Sequence, residues 1–187
     1  MPARILHAGD AHWRPSNQMG VLNCDLGEQL EATSLAARFW RLAPGQASTK
    51  HRHTTQTELY VVLEGTGRMR IGDDDAGEAL TLAVYSSVLI DPDDVRQVFN
   101  DTPADALWLV VGTPPELANT LEMTAGQLAR LYPDGPRARP PELAGDRAEL
   151  DVRVEADHDD HHDDGDGGDS EKRESDVGNV FHMRPPD

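Results

Sequence analysis

The sequence has one cysteine, two lysines and no long apolar run. With Cys24 alone no internal disulfide can form, and such cysteine usage is typical of a reducing compartment. No apolar run approaches the roughly 20 residues that a membrane-spanning helix needs. No basic-then-apolar leader is recognisable at the N-terminus either. These absences predict a cytoplasmic protein without a membrane partner.

Acidic residues, in contrast, are abundant. There are 34 Asp and Glu against 17 Lys and Arg in 187 residues, giving a formal net charge of -17. Nucleic acids are bound mainly through Lys and Arg, so this balance argues against a nucleic-acid partner. Because Lys50 and Lys172 are the only lysines, the surface also suits a salt-rich cytoplasm, where excess charge maintains solubility. The alternative is that an acidic tail alone biases the count.

Short β-rich runs follow one another from about Leu35 onward, separated by Gly, Pro and Asp. Regular short strands with frequent turn residues predict an all-β sandwich or barrel. The predicted strands are Leu35–Leu42, Glu58–Leu63, Gly67–Ile71, Ala79–Ala83, Ser87–Ile90, Val95–Phe99 and Ala106–Val111.

After these runs the pattern becomes helical. Thr124 and Gln127 have the spacing of a capping box, in which each residue bonds the backbone of the other. Leu128 and Leu131 follow at helical spacing, and Pro133 ends the segment. The sequence therefore predicts one short helix behind the β-rich region.

Changes in composition divide the chain into four segments. They are an N-terminal extension over 1–33, a β-barrel over 34–115, a helical segment over 116–133, and a Pro-containing linker with an acidic tail over 134–187. The tail is poor in apolar residues and is predicted to be largely disordered. Its three clustered histidines are expected to be solvated, since nothing there fixes ligand geometry. They are His158, His161 and His162.

One segment points to chemistry. His51 and His53 are separated by one residue, so on a strand both imidazoles face the same side. Glu58 opens the next apolar run, and a turn before it would bring its carboxylate to the same pocket. Two imidazoles and a carboxylate leave open positions on a transition metal, where substrate or oxygen binds. A bare His-x-His on an exposed strand carries no such meaning, so the prediction depends on the complete spacing.

That complete spacing resembles the first motif of the cupin superfamily, which runs Gly, five residues, His-x-His, four residues, Glu, six residues, Gly. The matching positions are Gly45, His51, His53, Glu58 and Gly65. The resemblance implies an antiparallel cupin barrel or jelly roll, often dimeric, with the two histidines and the glutamate as metal ligands. Fe(II) suits this ligand set well, with Mn, Zn or Ni as alternatives.

The second cupin motif is only partly present. It runs Gly, five residues, Pro-x-Gly, two residues, His, three residues, Asn, and Asn100 matches its last position. Tyr85, Asp91 and Asp93 replace the motif's Gly, Pro and Gly. Arg96 stands where the family has its fourth ligand, a histidine. The resemblance covers roughly residues 35–112 and departs from the pattern at the site itself.

Arg96 admits two hypotheses. A guanidinium stays protonated and cannot bind a metal, and at about 5 Å from a divalent ion the repulsion is on the order of 6–7 kcal/mol at an effective dielectric near 20. An anion must therefore lie between them, or the side chain must turn away. Under one hypothesis Arg96 clamps a substrate carboxylate, enolate or phosphate, and Tyr60 lines the same wall. Under the other, Arg96 pairs with Glu58 or another carboxylate and only orients it.

The resemblance does not select a reaction, because cupins include dioxygenases, isomerases, epimerases, decarboxylases and non-catalytic binding proteins. The sequence predicts a metal-binding cupin that holds a small molecule, anionic under the first Arg96 hypothesis, with dioxygenase-type chemistry as the reaction considered first. The alternatives are a non-catalytic sensor or binding module and, ranked lower, an isomerase or epimerase acting on a sugar or sugar phosphate. The expected partners are a small-molecule ligand and a second copy of the chain in a homodimer.

Overall fold

The structure, a computed structural model of the chain, describes residues 3–73, 77–116 and 119–144. The acidic tail that the sequence predicts to be disordered lies outside the described residues, and so do its histidines. No helix in the described ranges combines the length and the apolar character that crossing a membrane requires.

The described residues form two antiparallel sheets. In chain order the strands are β1 (Arg14–Pro15), β2 (Leu22–Asp25), β3 (Ala36–Leu42), β4 (Thr57–Glu64), β5 (Gly67–Ile71), β6 (Glu78–Leu82), β7 (Ser87–Ile90), β8 (Arg96–Phe99) and β9 (Ala106–Thr113). One sheet has the order β1-β2-β3-β9-β4-β7 and the other has the order β6-β5-β8. The predicted antiparallel all-β fold is confirmed.

The predicted strands β5 and β7 have the observed bounds, and the other five differ only at their ends. The two strands β1 and β2 were not predicted, because their residues include Pro, Asn and Asp, which are uncommon in strands. They form because β2 pairs with β3 and β1 pairs with β2, so residues 14–25 extend the larger sheet.

The interior lies between the two sheets and follows the alternation of the strands. On β4 the inward residues are Glu58, Tyr60 and Val62, and on β9 they include Trp108 and Val110. The main apolar cluster draws on both sheets, so they pack face to face. The inward face of β4 therefore changes from polar at its start to apolar at its end.

Two short elements follow the barrel. The first helix, α1 (Leu26–Gln29), lies before β3, and helix α2 (Ala125–Leu131) comes after β9. Helix α2 begins at Thr124, and both bonds of the predicted capping box to Gln127 are present. Beyond it a 3-10 turn covers Pro141–Leu143, and Leu143 is 1% exposed in a small cluster with Phe99. The first part of the Pro-containing segment therefore packs against the smaller sheet.

Candidate metal centre

Three buried side chains meet at the polar end of the interior. His51 forms an antiparallel bridge with Arg96, and the backbone N–H of His53 donates to the carbonyl of Pro92 at 2.8 Å. Glu58 is the second residue of β4. One ligand atom from each of His51, His53 and Glu58 lies within 4.8 Å of the others. The structure thus brings together the three residues that the sequence predicts as ligands.

The His51 ring is held with one nitrogen free. Its Nδ1 lies 3.0 Å from the carbonyl oxygen of Thr49. Because a carbonyl can only accept, Nδ1 carries the proton and donates it, and Nε2 keeps its lone pair. That lone pair lies 3.7 Å from Oε2 of Glu58. A backbone carbonyl that fixes one ring nitrogen is the usual support of a metal-binding histidine.

The His53 ring repeats this arrangement with a carboxylate. Its Nδ1 donates to Oε2 of Glu116 at 3.0 Å. Its Nε2 is buried, has no hydrogen-bond partner among the described residues, and lies 3.2 Å from Oε1 of Glu58. Two acceptors then face each other across this gap, and a cation between them satisfies both. The orphaned nitrogen shows that these residues fit a divalent metal.

The ionisation of the group agrees with that fit. Burial acts to raise the pKa of Glu58, but the two imidazoles and the guanidinium of Arg96 outweigh it and hold this pKa well below its ordinary value. Burial lowers the pKa of His51, and the charge of Arg96 adds to that effect against the opposing influence of Glu58. A neutral imidazole and an ionised carboxylate are the forms that bind metal ions.

A comparison with protein families matches the family described as "Cupin domain" over residues 38–112. This part of the chain is a cupin domain. A comparison with curated protein sequences gives no significant match.

Solved structures with the cupin fold resemble the chain. A protein from Silicibacter pomeroyi, described as a sugar phosphate isomerase from a cupin superfamily, is 25% identical with a TM-score of 0.52, covering 59% of this chain and 76% of that chain. A predicted oxalate decarboxylase from Thermotoga maritima is 19% identical with a TM-score of 0.50, covering 58% and 97%. A polyketide cyclase from Streptomyces resistomycificus is 16% identical with a TM-score of 0.51, covering 62% and 87%. The last two show the fold alone.

The motif glycines of the cupin domain have a backbone reason. Gly45 and Gly65 both adopt positive φ, at 75° and 72°. A Cβ on Gly65 would also lie 2.2 Å from the carbonyl oxygen of Asp105. Tyr85, which replaces the first glycine of the second motif, keeps a φ of 68°. Tyr85 therefore adopts a left-handed conformation that glycine takes more easily than other residues.

Arg96 pairs with the glutamate of the site. Its Nη2 lies 2.7 Å from Oε2 of Glu58, and its side chain is 0% exposed. Nη1 donates to the carbonyl of Asp94 at 2.9 Å. Tyr60 donates its hydroxyl hydrogen to the same Oε2 at 2.5 Å. This geometry favours the hypothesis in which Arg96 orients Glu58, because both donors approach the carboxylate from the protein side.

Glu116 is a residue of the site that sequence reasoning missed. Besides His53, its carboxylate accepts from the backbone N–H groups of Thr54 and Thr55 and from the Thr55 hydroxyl. Burial acts to raise its pKa, but these hydrogen bonds lower the pKa of Glu116 to about 2. No local sequence pattern indicates this role, which follows from the strand register of the structure: Thr57 on β4 pairs with Thr113 on β9. Residues just after β9 therefore reach the loop that precedes β4.

A cavity of about 600 Å³ opens from the metal site, and His51, His53 and Glu58 form part of its lining. Arg96 and Tyr60 are not among its lining residues, which separates them from anything the cavity holds. Its other walls come from β2, β3, the segment around Asn17, and the end of α2.

The cavity wall beside His51 is tied by hydrogen bonds to the segment that carries the two histidines. The backbone N–H of Arg52 donates to the carbonyl of Leu131 at 2.9 Å, and its Nε donates to the carbonyl of Arg130 at 2.9 Å. These bonds place the ring of Tyr132 6.2 Å from the ring of His51, centroid to centroid. Sequence reasoning did not identify Tyr132 as part of the site.

Proposed function

We propose that the chain is a small metal-dependent cupin that binds a small anionic molecule beside a divalent metal held by His51, His53 and Glu58. The observation that carries this proposal is the buried Nε2 of His53, which faces Oε1 of Glu58 at 3.2 Å without a hydrogen-bond partner in the described ranges. Fe(II) is the favoured ion for two imidazoles and one carboxylate, and Mn, Zn and Ni are alternatives.

When bound, the metal supplies Lewis acidity and open coordination positions for an oxygenase-type reaction on the ligand. The protein fixes the donors that surround it. Arg96 and Tyr60 occupy Oε2 of Glu58, so Oε1, which faces Nε2 of His53, would be the oxygen that holds a cation. Glu116 holds the His53 ring and the Thr49 carbonyl holds the His51 ring, so both imidazoles are oriented before a metal would bind.

Elemental analysis of the protein purified without a His-tag tests the metal part of the proposal. We expect about one equivalent of a divalent transition metal in the wild type and less than about one tenth of that in the His51→Ala/His53→Ala variant. The matched control replaces three histidines of the acidic tail with alanine and is expected to keep its metal. The control residues are His158, His161 and His162. Equal metal content in the wild type and the His51→Ala/His53→Ala variant would contradict the proposal.

Oxygen consumption separates the catalytic proposal from its main alternative. Fe(II)-loaded protein mixed with a panel of small carboxylates is expected to consume oxygen with at least one of them, and the His51→Ala/His53→Ala variant is expected to consume none beyond the rate of free iron. A metal-loaded protein that binds members of the panel but consumes no oxygen would support a non-catalytic module instead.

A specific observation favours that module as the second candidate. Both carboxylates beside the imidazoles are already occupied by donors: Glu58 by Arg96 and Tyr60, and Glu116 by the loop of Thr54 and Thr55. Neither is free to act as a general base in this arrangement. The Silicibacter pomeroyi protein is described as a sugar phosphate isomerase. An isomerase is therefore the third candidate function.

The remaining expectations stay predictions: a homodimer, a cytoplasmic location, adaptation to salt, and no nucleic-acid partner. Light scattering of the purified protein at low and high salt measures the mass of the assembly. A monomer mass at both salt concentrations would contradict the homodimer.

A further inference from the structure

A second polar group lines the cavity opposite the metal site. Arg38 on β3 lies opposite Asp25 on β2 in the strand register, and its Nε donates to Oδ2 of Asp25 at 2.8 Å. Nη2 lies 2.8 Å from the same oxygen. Nη1 has no acceptor among the described residues, although the side chain is only 30% exposed. One end of a fixed guanidinium is therefore available to the cavity.

The strand register sets the distance between this group and the metal site. Arg38 on β3 lies opposite Val110 on β9. The next inward residue of β3, Ala36, lies opposite Gly112 of β9. Gly112 lies opposite Glu58 on the other neighbour of β9, strand β4. Two neighbour spacings separate β3 from β4, so these strands run about 10 Å apart. The wall between them consists of Ala36 and of the buried Gln56 side chain, which lies against Gly112. The cavity of about 600 Å³ beyond them leaves room for a ligand of a few heavy atoms.

The phenol ring of Tyr132 forms another part of the cavity wall. Tyr132 is 7% exposed, lines the cavity, and its hydroxyl has no hydrogen-bond partner in the part of the chain that the structure describes. The Arg52 bonds to the end of α2 hold its ring beside His51. A buried phenol usually donates its hydrogen to a partner, so this hydroxyl is expected to meet one in a bound ligand.

Charge on the cavity wall selects the kind of ligand. Three arginines line it, namely Arg14, Arg38 and Arg52. Four carboxylates line it, namely Asp25, Glu28, Glu58 and Glu116. A bound divalent cation would turn this small negative excess into a positive one. The cavity then attracts anions although the whole chain has a formal net charge of -17.

We propose that Arg38 and Tyr132 form an oxyanion-recognition site that binds the carboxylate or phosphate of the ligand across the cavity from His51, His53 and Glu58. The proposal rests on the proposed function and deepens it, because it assigns the anion to Arg38 and Tyr132 and not to Arg96. Arg38 contributes the N–H groups of Nη1, and Tyr132 contributes its hydroxyl hydrogen. The pairing with Asp25 fixes the guanidinium plane in advance, which reduces the entropy lost on binding.

Isothermal titration of the Mn(II)-loaded protein with pyruvate, and separately with inorganic phosphate, tests this site. We expect the Arg38→Met/Asp25→Asn variant, whose net charge equals that of the wild type, to bind the favoured probe about 10- to 100-fold more weakly. A loss of affinity in this variant then reflects the loss of the Arg38 hydrogen-bond donors, because the net charge of the site is unchanged. We expect Tyr132→Phe to weaken binding about 2- to 10-fold, since it removes one neutral donor. Wild-type binding of pyruvate alone identifies a carboxylate site, and binding of phosphate alone identifies a phosphate site.

The chain offers matched controls. Arg41 lies on the same strand with a similar exposure of 33%, bonds Glu64, and does not line the cavity. Tyr85 is 81% exposed and lies outside the cavity as well. Arg41→Met and Tyr85→Phe are therefore expected to bind both probes as the wild type does.

Metal content, measured on every sample, keeps the two proposals distinguishable. A wild type that holds Mn(II) but binds neither probe below about 10 mM, an affinity of roughly -3 kcal/mol, would overturn the oxyanion site and leave the metal site intact. Affinities within about twofold of wild type in both site variants would overturn it too, since a lost hydrogen bond to a charged group costs more. A wild type without metal would contradict the proposed function instead, and the same titrations on the metal-free protein would then still decide whether Arg38 and Tyr132 bind anions.

Discussion

Glu58 and Val62 lie four residues apart on the inward face of one strand, yet they belong to opposite environments. Val62 is 0% exposed among apolar residues such as Trp108, while Glu58 is surrounded by donors. Tyr60 stands between them: its ring packs edge-on against Trp108 at 6.3 Å, and its hydroxyl bonds Glu58. The comparison teaches that the end of β4 contributes to the apolar core and its start contributes to the binding site. Tyr60 connects the two parts, because its ring is apolar and its hydroxyl is polar.

The largest expected effect lies at the apolar end. Trp108→Ala removes a side chain that is 0% exposed and touches both sheets, so we expect a loss of about 3–5 kcal/mol in the free energy of unfolding. Urea denaturation measures it. Trp108→Phe is expected to cost less than half as much, because the indole N–H it removes has no hydrogen-bond partner in the described part of the chain. The metal affinity of the folded Trp108→Phe variant should equal that of the wild type. A large change would show that the apolar end of the interior also affects metal binding.

Arg96→Met should destabilise the metal-free protein by about 3 kcal/mol, because it leaves the Glu58 carboxylate buried without its counter-ion. Bound metal supplies a replacement positive charge, so the loss is expected to be smaller in the metal-loaded protein. Thermal unfolding with and without metal measures both values. Adding Glu58→Gln to the variant is expected to restore stability to the metal-free protein. An equal loss with and without metal would show that Arg96 does not act through Glu58.

Glu116→Gln sharpens the comparison at the polar end. The amide keeps the size of the side chain but accepts with one oxygen only, so His53 and the Thr54–Thr55 loop lose part of their support. We expect metal affinity to fall about 10- to 100-fold, measured by competition with a chromophoric chelator. Glu122→Gln, an exposed carboxylate that does not line the cavity, serves as the control. Wild-type metal affinity in Glu116→Gln would remove Glu116 from the site.

The smallest effect is expected for an ion pair outside the interior. Arg41 and Glu64 lie 3.1 Å apart with side chains 33% and 56% exposed. Solvent screens such a pair, so Arg41→Ala should change the free energy of unfolding by less than about 0.5 kcal/mol. Measured beside Arg96→Met, it compares an exposed and a buried pair in one protein. A loss as large as that of Arg96→Met would mean that burial does not decide the strength of these pairs.

Much of the fold could be predicted because its signals are local. Short β-rich runs separated by Gly, Pro and Asp located seven strands, and Thr124 with Gln127 located the helix start. The three clustered ligand candidates were predicted from their spacing, although His51 and His53 lie outside the named strands and His51 forms only an isolated bridge with Arg96.

The rest of the site depends on contacts between distant parts of the chain. Arg96 left two hypotheses open because strand parity alone does not tell whether a guanidinium turns to a protein carboxylate or to a ligand. Glu116 and Tyr132 reach the site from a loop and from the end of α2, at sequence distances of 63 and 81 residues from His53 and His51 respectively, as their positions show. Arg38 required the register of β2, β3 and β9, which no local pattern specifies.

The attachment of α2 to Arg52 has a consequence for how this scaffold could change. The acceptors are main-chain carbonyls of Arg130 and Leu131, so any side chain at those positions leaves the attachment in place. Leu131, the residue of α2 that lines the cavity, can therefore vary in shape and polarity while the segment that carries His51 and His53 stays fixed. New preferences among small molecules could arise there by substitution, without rebuilding the residues that hold the cation.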